Sequence, residues 1–549
     1  MVIDSSRTTA ADLLVSCLRA QGLSAVFGMP GNQNIALYDA LLRAEADLPH
    51  YLVRHEQAAS IMASGYVRAS GRMAAAVTVP GPGATNAASA VLDAYSDCIP
   101  LLSIVGGFDR EAQKHHSSKL FHGLDQEAFY KPFTRYFGSP KRIKEIPRVV
   151  EQAVSAMQGV RPGPVVIEIA PDLASQPLPA NFDRMSRVLP SRRLPVNPLD
   201  LGKAIEAIHG LQRPVVWVGS DCSAGGAAEQ ALQLVELLGA PVIYGRRGKG
   251  VFSDHHPQVI GYTRSKRVAE VLTEADGLIL IGARFTQIDT RNYELKLPPV
   301  VVRFDRDKGE IGADVPVTHG VAGDLVVALE AVLRELLRVG HQPDAGWKSL
   351  ALQRHEAWRS LPDLPVLGEI RRALPPGGLI SVDVTSTGYN CFDRFPVPDG
   401  RSLIYPCHSV TLGFGFPAAL GAKIACPDRP VVCLAGDGGF LMGAMELATA
   451  VEHRISVVTV VVHDRALTAI HGAQRQAFHG RTIDTTMHTP DFAALARSFG
   501  ATGVVCDHLA ELPQFVSEGF DRPGPTVIEL PMHGQVNELI AGVPWLHGE

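Results

Sequence analysis

Two aspartates stand at equivalent places in the last third of the sequence, each directly after an apolar run. Asp437 lies in a Gly-Asp-Gly-Gly segment that follows the run 431–434, and Asp464 follows the run 456–462. A helical segment between the runs makes this a β-α-β unit, whose right-handed crossover brings both strand ends to one edge of a parallel sheet. We therefore expect the two carboxylates to lie close together.

Carboxylate oxygens in this arrangement suit a hard divalent cation. Neighbouring strands lie about 4.8 Å apart, so two aspartates at their ends can share one Mg²⁺ or Ca²⁺ and leave coordination positions open. Gly438 and Gly439 leave backbone N–H groups accessible, and a helix N-terminus behind them favours an anion. A metal-bridged diphosphate fits both features. A lone Gly-Asp-Gly segment is most often only a turn, and the second aspartate is what favours the metal site.

A second group of candidate residues lies in the first third of the chain. Glu56 begins a helical run of small and apolar residues, where a carboxylate ordinarily does no more than favour the helix dipole. A Pro-Gly-Pro-Gly turn at 80–83 follows an apolar run and leads into a helix that contains Asn86. Such a turn lets the backbone approach a planar ring or another subunit, although glycine turns are common.

The elements that must position these residues follow one pattern. Short Val- and Ile-rich runs alternate with helical stretches, which predicts an α/β fold of doubly wound parallel sheets with helices on both faces. Strands are predicted at 24–27, 74–79, 101–105, 215–218, 241–244, 278–281, 300–304, 379–382, 431–434, 457–462 and 527–530. Helices are predicted at 227–238, 325–339, 416–424, 441–451 and 492–499.

Two stretches divide the chain into three units. The segment 171–198 holds six prolines and is predicted to be a linker. A Gly- and Pro-bearing stretch at 340–365 forms the second boundary, and 347–358 within it has the composition of a linker helix. We predict domains at 1–180, 195–340 and 360–549.

Length and charge exclude several classes of protein. The 549 residues suffice for about three domains. The net charge of −5 and the lack of a long basic stretch argue against nucleic-acid binding. The long uncharged run 73–92 is interrupted by the Pro-Gly turn, so no membrane segment is expected. Eight scattered cysteines and no signal-peptide pattern predict a reducing, cytoplasmic location.

Eight motifs occur in an order and spacing typical of one family. They are FGMPGNQNIALYDAL at 27–41, RHEQAASIMASGYVRASG at 54–71, GPGATNAAS at 81–89, DCIPLLSIVG at 97–106, KLFHGLDQEAF at 119–129, GAPVIYGRRGKGVFSDHHP at 239–257, TLGFGFPAALGAK at 411–423, and GDGGF at 436–440 with HDRAL at 463–467. Over essentially its whole length the chain resembles the thiamine diphosphate-dependent decarboxylase and carboligase family, in particular the large catalytic subunit type of acetolactate synthase.

The resemblance implies three domains: an N-terminal pyrimidine-binding domain, a central domain and a C-terminal diphosphate-binding domain. It also implies thiamine diphosphate and Mg²⁺ as cofactors. In this family the active site forms between the first domain of one subunit and the third domain of its partner. A homodimer or homotetramer is therefore expected.

The family places its activating acid at Glu56, which hydrogen-bonds the aminopyrimidine ring. A carboxyl group shielded by apolar neighbours can share a proton with the ring nitrogen. That favours the imino form of the ring amine, which removes the proton from the thiazolium carbon. Leu412 matches the bulky apolar residue that bends the cofactor. Contacts with the cofactor are further implied for Pro30, Gly31, Asn86, Gly436, Asp437, Gly438, Gly439, Ala466 and Leu467.

The metal ligands implied by the resemblance are the side chains of Asp437 and Asp464 and the backbone carbonyl of Ala466. The family more often has asparagine where Asp464 stands. Aspartate keeps the oxygen ligand but adds a negative charge, which favours the metal and disfavours the diphosphate.

The substrate residues depart from the family. Asn32 and Gln33 occupy a loop that faces the substrate in relatives, where acetolactate synthases have small glycines and benzoylformate decarboxylase a serine. Phe121 and His122 match a Phe-Gln pair of acetolactate synthases. His122 is a candidate for proton transfer or carboxylate recognition, although a loop histidine is more often merely solvated. The stretch 261–264 is shorter than the glycine-rich stretch of flavin-binding relatives, so FAD is not expected.

The resemblance implies decarboxylation of a 2-oxo acid and ligation of the resulting enamine to a second carbonyl compound, which makes the protein a transferase. Two alternatives stay open. One is a lyase, a decarboxylase that releases an aldehyde as benzoylformate decarboxylase does. The other is a non-catalytic regulatory relative, which the presence of Glu56 and Asp437 disfavours. A nicotinamide or flavin oxidoreductase is disfavoured because no GxGxxG motif opens the first unit.

Overall fold

The computed structural model describes residues 8–179 and 194–532. They form two compact units, one of residues 8–179, 369–389 and 404–532, and the other of residues 194–368 and 390–403. The first and third of three six-stranded sheets belong to the first unit, and the central sheet belongs to the second. The predicted α/β class with three doubly wound parallel sheets is confirmed. No helix in the described ranges is long and apolar enough to cross a membrane.

The first sheet contains β1 (Leu23–Gly28), β2 (His50–Leu52), β3 (Met73–Thr78), β4 (Leu102–Gly106), β5 (Tyr136–Gly138) and β6 (Val165–Ile169), in the order β2-β1-β3-β4-β6-β5. Its α-helices are α1 (Ala10–Ala20), α2 (Ile35–Ala44), α3 (Glu56–Ser70), α4 (Pro82–Ser96), α5 (Gln126–Tyr130), α6 (Ile146–Met157) and α7 (Pro171–Ala174). The predicted strands correspond to β1, β3 and β4, which form the buried centre of the sheet.

The central sheet contains β7 (Pro214–Val218), β8 (Val242–Tyr244), β9 (Val259–Tyr262), β10 (Gly277–Ile281), β11 (Val300–Asp305) and β12 (His319–Ala322), in the order β12-β11-β10-β7-β8-β9. The accompanying helices are α8 (Pro198–Gly210), α9 (Ser220–Ala224), α10 (Ala228–Leu238), α11 (Lys266–Glu274), α12 (Leu325–Arg338) and α13 (Ala345–Arg359). The four strands and two helices predicted for this sheet are confirmed, and α13 is the predicted linker helix.

The third sheet contains β13 (Leu379–Val382), β14 (Leu403–Ile404), β15 (Val431–Gly436), β16 (Val458–His463), β17 (Thr502–Val505) and β18 (Thr526–Pro531), in the order β14-β13-β15-β16-β18-β17. Helices in this part of the chain are α14 (Pro365–Ala373), α15 (Ser386–Tyr389), α16 (Cys391–Arg394), α17 (Gly415–Ala425), α18 (Asp437–Gly443), α19 (Leu447–Glu452), α20 (Thr468–Ala477), α21 (Phe492–Ser498) and α22 (Leu512–Phe520). If β13 is counted as its first strand, β14 as its second and so on, this sheet has the same spatial strand order as the first sheet, namely 2-1-3-4-6-5.

Two helices, α3 and α17, pack against each other between the first and third sheets. Helix α3 lies between the second and third strands of its sheet, and α17 occupies the same place in the other. A Cβ atom on Gly65 would lie 2.2 Å from the Ala418 carbonyl oxygen, and one on Gly421 would lie 1.9 Å from that of Met62. Glycine at these positions therefore allows the two backbones to touch, and the sheets share one apolar core.

Two expectations on secondary structure require correction. The predicted helix 441–451 is wrong as a single helix, because α18 ends at Gly443 and a 3-10 turn, Ala444–Glu446, separates it from α19. A Cβ on Gly443 would lie 3.1 Å from Pro417, so the chain turns where it meets α17. The predicted linker 171–198 begins with helix α7, and its residues 180–193 lie outside the described residues.

Candidate active site

The two aspartates of the predicted metal site lie at the carboxyl edge of the third sheet. Strand β15 ends at Gly436 and Asp437 begins α18, whereas Asp464 directly follows β16. The two strands are parallel neighbours, with Gly436 paired to Val462. The crossover therefore brings the two carboxylates to the same sheet edge, as the sequence predicts.

The side chain of Asp437 is buried and held by the backbone around it. Its Oδ1 accepts the N–H of Gly438 and its Oδ2 the N–H of Arg465, each at 2.7 Å. Burial raises the pKa of Asp437, the charge of Asp464 raises this pKa further, and the two N–H groups lower it. The two carboxylates thus repel each other across one site, and a divalent cation between them would relieve that repulsion.

Asp464 is half-buried and organises the loop that follows it. Its Oδ1 accepts the N–H of Ala466 at 3.1 Å, and its Oδ2 accepts the hydroxyl of Thr468. Arg465 adopts a left-handed backbone with φ 61°, and Ala466 forms an antiparallel bridge with Thr486. This turn carries the chain from the strand end back past Asp437.

The donor set fits Mg²⁺ bound through oxygen. In the ranges 8–179 and 194–532, no three His, Cys, Asp or Glu side chains form a cluster that could hold a metal. A cation at Asp437 and Asp464 would therefore draw its other ligands from backbone carbonyls, such as that of Ala466, from water, or from a diphosphate.

The glycines beside Asp437 have little room for side chains. A Cβ on Gly439 would lie 3.0 Å from the Asp383 carboxyl carbon, and one on Gly436 would lie 3.3 Å from Thr385. A Cβ on Gly438 would lie 3.2 Å from Leu467, another predicted cofactor contact. Helix α18, of seven residues, begins at Asp437, so a helix does start at these glycines as the sequence predicts.

Asp383 is an organising residue that sequence reasoning missed. Its side chain is fully buried directly after β13, where it accepts the N–H groups of Gly413 at 3.1 Å and Gly415 at 3.0 Å. Burial raises the pKa of Asp383 to about 6, although these backbone N–H groups lower it. Asp383 thereby fixes the loop that presents Leu412, whose side chain is about one-third exposed. A carboxylate directly after an apolar strand was the signal that could have identified it.

Glu56 lies at the carboxyl edge of the first sheet as the first residue of α3. The side-chain amide of Asn86 on α4 donates a hydrogen bond to Glu56 Oε2 at 3.0 Å. A Cβ on Gly83 would lie 3.3 Å from its Oε1 and 2.7 Å from Val79, so the glycine leaves space beside this oxygen. The structure thus brings together Glu56, Asn86 and the Pro-Gly turn.

The predicted substrate loops flank that turn. A Cβ on Gly81, where φ is 61°, would lie 2.3 Å from the carbonyl oxygen of His122. One on Gly106 would lie 3.1 Å from the carbonyl oxygen of Gln33 and 3.2 Å from Pro80. Among the described residues, the Nδ1 of His122 and the Oε1 of Gln33 are buried and make no hydrogen bond. Two polar atoms on neighbouring loops are thus left for a ligand to satisfy.

The remaining predicted residues of these loops are more exposed. Pro30 and Asn32 are exposed, and Gly31 donates its N–H to Asn34 Oδ1 at 2.8 Å. Phe121 is exposed and its ring stacks on that of His122. Asn34 is a second residue that sequence reasoning missed. Its side chain bonds the backbone of Gly31 and Met29 and so closes this loop.

The candidate residues therefore form two clusters, one at each sheet edge. One contains the predicted metal and diphosphate residues of the third sheet, and the other contains Glu56 and the predicted substrate residues of the first sheet. No hydrogen bond of the described residues joins Glu56 to Asp437.

Comparison with known proteins matches all three sheets. Residues 8–129 match the model of the thiamine pyrophosphate enzyme N-terminal TPP binding domain, residues 201–332 the central domain, and residues 383–530 the C-terminal TPP binding domain. Together these models cover most of the chain. The protein belongs to the thiamine pyrophosphate enzyme family, thiamine pyrophosphate being another name for thiamine diphosphate.

Among curated proteins, the chain is similar to acetolactate synthases and to a decarboxylase. The chain is 32% identical over 519 residues to a probable acetolactate synthase large subunit of Methanocaldococcus jannaschii, covering 89% of this chain and 86% of the relative. It is 30% identical over 540 residues to the acetolactate synthase isozyme 3 large subunit of Escherichia coli, covering 94% and 92%. It is also 31% identical over 538 residues to a probable 2-ketoarginine decarboxylase of Pseudomonas aeruginosa, covering 95% and 94%. The predicted family is confirmed.

Proposed function

We propose that this protein binds thiamine diphosphate with Mg²⁺, decarboxylates a 2-oxo acid and joins the remaining acyl unit to a second carbonyl compound. The observation that carries the proposal is the pair Asp437 and Asp464, two repelling carboxylates beside a glycine turn. Thiamine diphosphate supplies a nucleophilic carbon and an electron sink for loss of CO₂.

In this proposal the third sheet holds the diphosphate end of the cofactor. Asp437, Asp464 and the carbonyl of Ala466 hold Mg²⁺, and the backbone of residues 436–439 approaches the diphosphate. Leu412, on the loop fixed by Asp383, supports the middle of the cofactor. Pro30, Gly31 and Leu467 complete its contacts.

Glu56 holds and moves the proton that activates the cofactor. Asn86 occupies Oε2 and leaves Oε1 beside Gly83, so Oε1 is the atom that shares a proton with the aminopyrimidine ring. A second chain is expected to supply the opposite cluster of the site, in a homodimer or homotetramer. This assembly accounts for the exposure of Leu412, Met442 and Phe121 in the single chain.

Glu56→Gln tests the proposal most directly. Turnover of a panel of 2-oxo acids, followed as CO₂ and as products by mass spectrometry, should fall by about 10²–10⁴-fold. Uptake of Mg²⁺ and thiamine diphosphate in a calorimeter should change little, because Glu56 lies outside the metal cluster. Glu45→Gln, which changes an exposed carboxylate, is the matched control. A wild-type protein that takes up no cofactor, or a fully active Glu56→Gln variant, would contradict the proposal.

Release of an aldehyde without ligation is the second candidate function. It is favoured by His122, whose buried Nδ1 lacks a partner among the described residues, because a histidine there can donate a proton to the acyl unit after CO₂ is lost. The relative named as a probable 2-ketoarginine decarboxylase also favours it. His122→Gln recreates the Phe-Gln pair of acetolactate synthases. If aldehyde is the natural product, this variant should shift the ratio of products towards the ligated compound.

A further inference from the structure

A buried carboxylate next to the third sheet contacts the backbone that immediately precedes Glu56. Glu446 lies in the 3-10 turn between α18 and α19, and its side chain is fully buried. Its Oε1 accepts the N–H of Arg54 at 2.9 Å and that of His55 at 3.1 Å. One oxygen of Glu446 therefore holds two successive amides before α3.

These two amides need an acceptor from outside their own helix. His55 is the N-cap of α3, and its Nδ1 accepts the N–H of Gln57 at 3.2 Å. The N–H groups of residues 54 and 55 precede the helix and have no carbonyl four residues back within it. Glu446 supplies the acceptor, and it belongs to the same chain.

The second oxygen of Glu446 completes the contact. The Thr449 hydroxyl lies 2.6 Å from Glu446 Oε2 and 3.0 Å from the carbonyl oxygen of Leu52. Residues 52–55 are thus held from two directions by the segment 446–449. Burial raises the pKa of Glu446, and its bonds to Thr449, Arg54 and His55 lower it.

A neighbouring carboxylate provides a contrast. Glu452 forms an ion pair with the side chain of Arg54 at 2.5 Å, and about half of its own side chain is exposed. It contacts the guanidinium of Arg54 and, within the part of the chain that the structure describes, makes no hydrogen bond to the backbone before Glu56. Glu446 therefore holds the backbone that leads into α3, whereas Glu452 contacts only a side chain of the same segment.

We propose that Glu446 is a positioning residue for Glu56. By fixing the backbone of Arg54 and His55, it sets the direction in which the Glu56 side chain leaves the first turn of α3. Oε2 then meets Asn86, and Oε1 faces the space beside Gly83. The inference rests on the proposed function, in which Glu56 activates thiamine diphosphate, and small misplacements of such a group reduce rates strongly.

The test compares Glu446→Ala, Glu446→Gln and Glu446→Asp, with Glu452→Gln as the matched control. Three quantities are measured on the full chain. They are deuterium exchange of the amides of residues 54 and 55 without cofactor, exchange of the C2 proton of bound thiamine diphosphate, and kcat and KM for an accepted 2-oxo acid. The C2 exchange requires the cofactor but no substrate.

Glu446→Ala should speed amide exchange at residues 54 and 55 and slow C2 proton exchange and kcat by about 10–100-fold. KM and cofactor affinity should stay within about threefold of the wild type, because no substrate or metal contact is removed. Glu446→Gln should stay close to the wild type, since its amide oxygen can accept both N–H groups and its NH₂ can donate to Thr449. Glu452→Gln should leave all three quantities unchanged.

Several results would overturn the inference. One is a Glu446→Ala protein that is less stable but has normal C2 exchange and kcat, which would make Glu446 merely structural. Another is an equal loss in Glu446→Gln, which would assign the effect to charge. If Glu446→Ala does not fold, Glu446→Asp, whose carboxylate is withdrawn by one methylene, must lose activity. Failure of the wild type to take up cofactor would instead contradict the proposed function.

Discussion

The carboxylates of Asp437 and Asp464 repel each other across the ends of β15 and β16, where burial first and then the charge of Asp464 raise the pKa of Asp437. This repulsion is an energetic cost in the protein without a cation. A divalent ion between the two carboxylates would relieve it, and in the proposed site Asp464 would contribute by its charge as well as by its oxygen.

Asp464→Asn should therefore separate the two contributions. It keeps an oxygen ligand and removes one negative charge, so Mg²⁺ affinity measured by calorimetry should fall by about tenfold. At saturating Mg²⁺, thiamine diphosphate should bind as tightly as before or more tightly, because repulsion of the diphosphate is reduced. Asp437→Asn should weaken both the binding of Mg²⁺ and the binding of thiamine diphosphate. Unchanged Mg²⁺ affinity in Asp464→Asn would contradict a contribution of the Asp464 charge to metal binding.

Val410 lies two residues before Leu412 in a left-handed backbone, with φ 52°. A β-branched residue is strained in that conformation, and glycine is not. Val410→Gly should raise the free energy of unfolding by about 1 kcal/mol, seen as a higher thermal midpoint. Val410→Ala removes the β-branch but keeps the Cβ, so its gain should be smaller than that of Val410→Gly. An equal gain in both variants would show that strain at φ is not the cause.

The contact between α3 and α17 depends on Gly421. Because a Cβ there would lie 1.9 Å from a backbone oxygen, Gly421→Ala should destabilise the first unit by about 3 kcal/mol. Gly472, in helix α20, has nothing within 4 Å of its Cβ position. Gly472→Ala should instead be neutral or stabilising by up to about 1 kcal/mol. Thermal unfolding of the two variants compares them directly.

His50 should make stability depend on pH. Burial lowers the pKa of His50 from 6.5 to about 4, and the charge of His453 also lowers it. Between these two values the native state binds fewer protons than the unfolded chain. The free energy of unfolding should therefore fall as the pH is lowered from 6.5 towards 4, by about 3 kcal/mol at most.

His50→Gln removes the titrating group while keeping a polar atom that can reach Tyr38, the present partner at 3.0 Å. The difference in thermal midpoint between about pH 8 and pH 5 should be smaller in this variant than in the wild type. Near pH 8, where His50 is neutral, the two proteins should unfold at similar temperatures. Identical pH profiles would exclude His50 as the cause.

The central strands were predictable because each is a continuous buried apolar run. The edge strands β2, β12 and β17 were missed since they are short and mostly half-buried, and they show no such run. Strand β6 was missed although it is fully buried, because Glu168 interrupts its apolar run.

The site was predictable where local motifs carry it, as at Asp437 and Glu56. Asp383 and Glu446 carry no motif, because their partners are backbone amides far along the chain, at Gly413 and Arg54. The Asp383 contact depends on how a distant loop folds back over the end of β13, and the Glu446 contact on how the first and third sheets meet. A pattern of single residues encodes neither.

Helices α3 and α17 occupy equivalent places in the first and third sheets. Their contact therefore resembles the interface of a symmetric dimer whose two halves belong to one polypeptide. In a self-complementary join each half meets the counterpart of its own surface. A larger residue on one helix therefore needs a smaller one opposite, as Gly65 faces Ala418 and Gly421 faces Met62. Sequence change along these two helices should accordingly be correlated, with enlargement on one matched by loss of volume on the other.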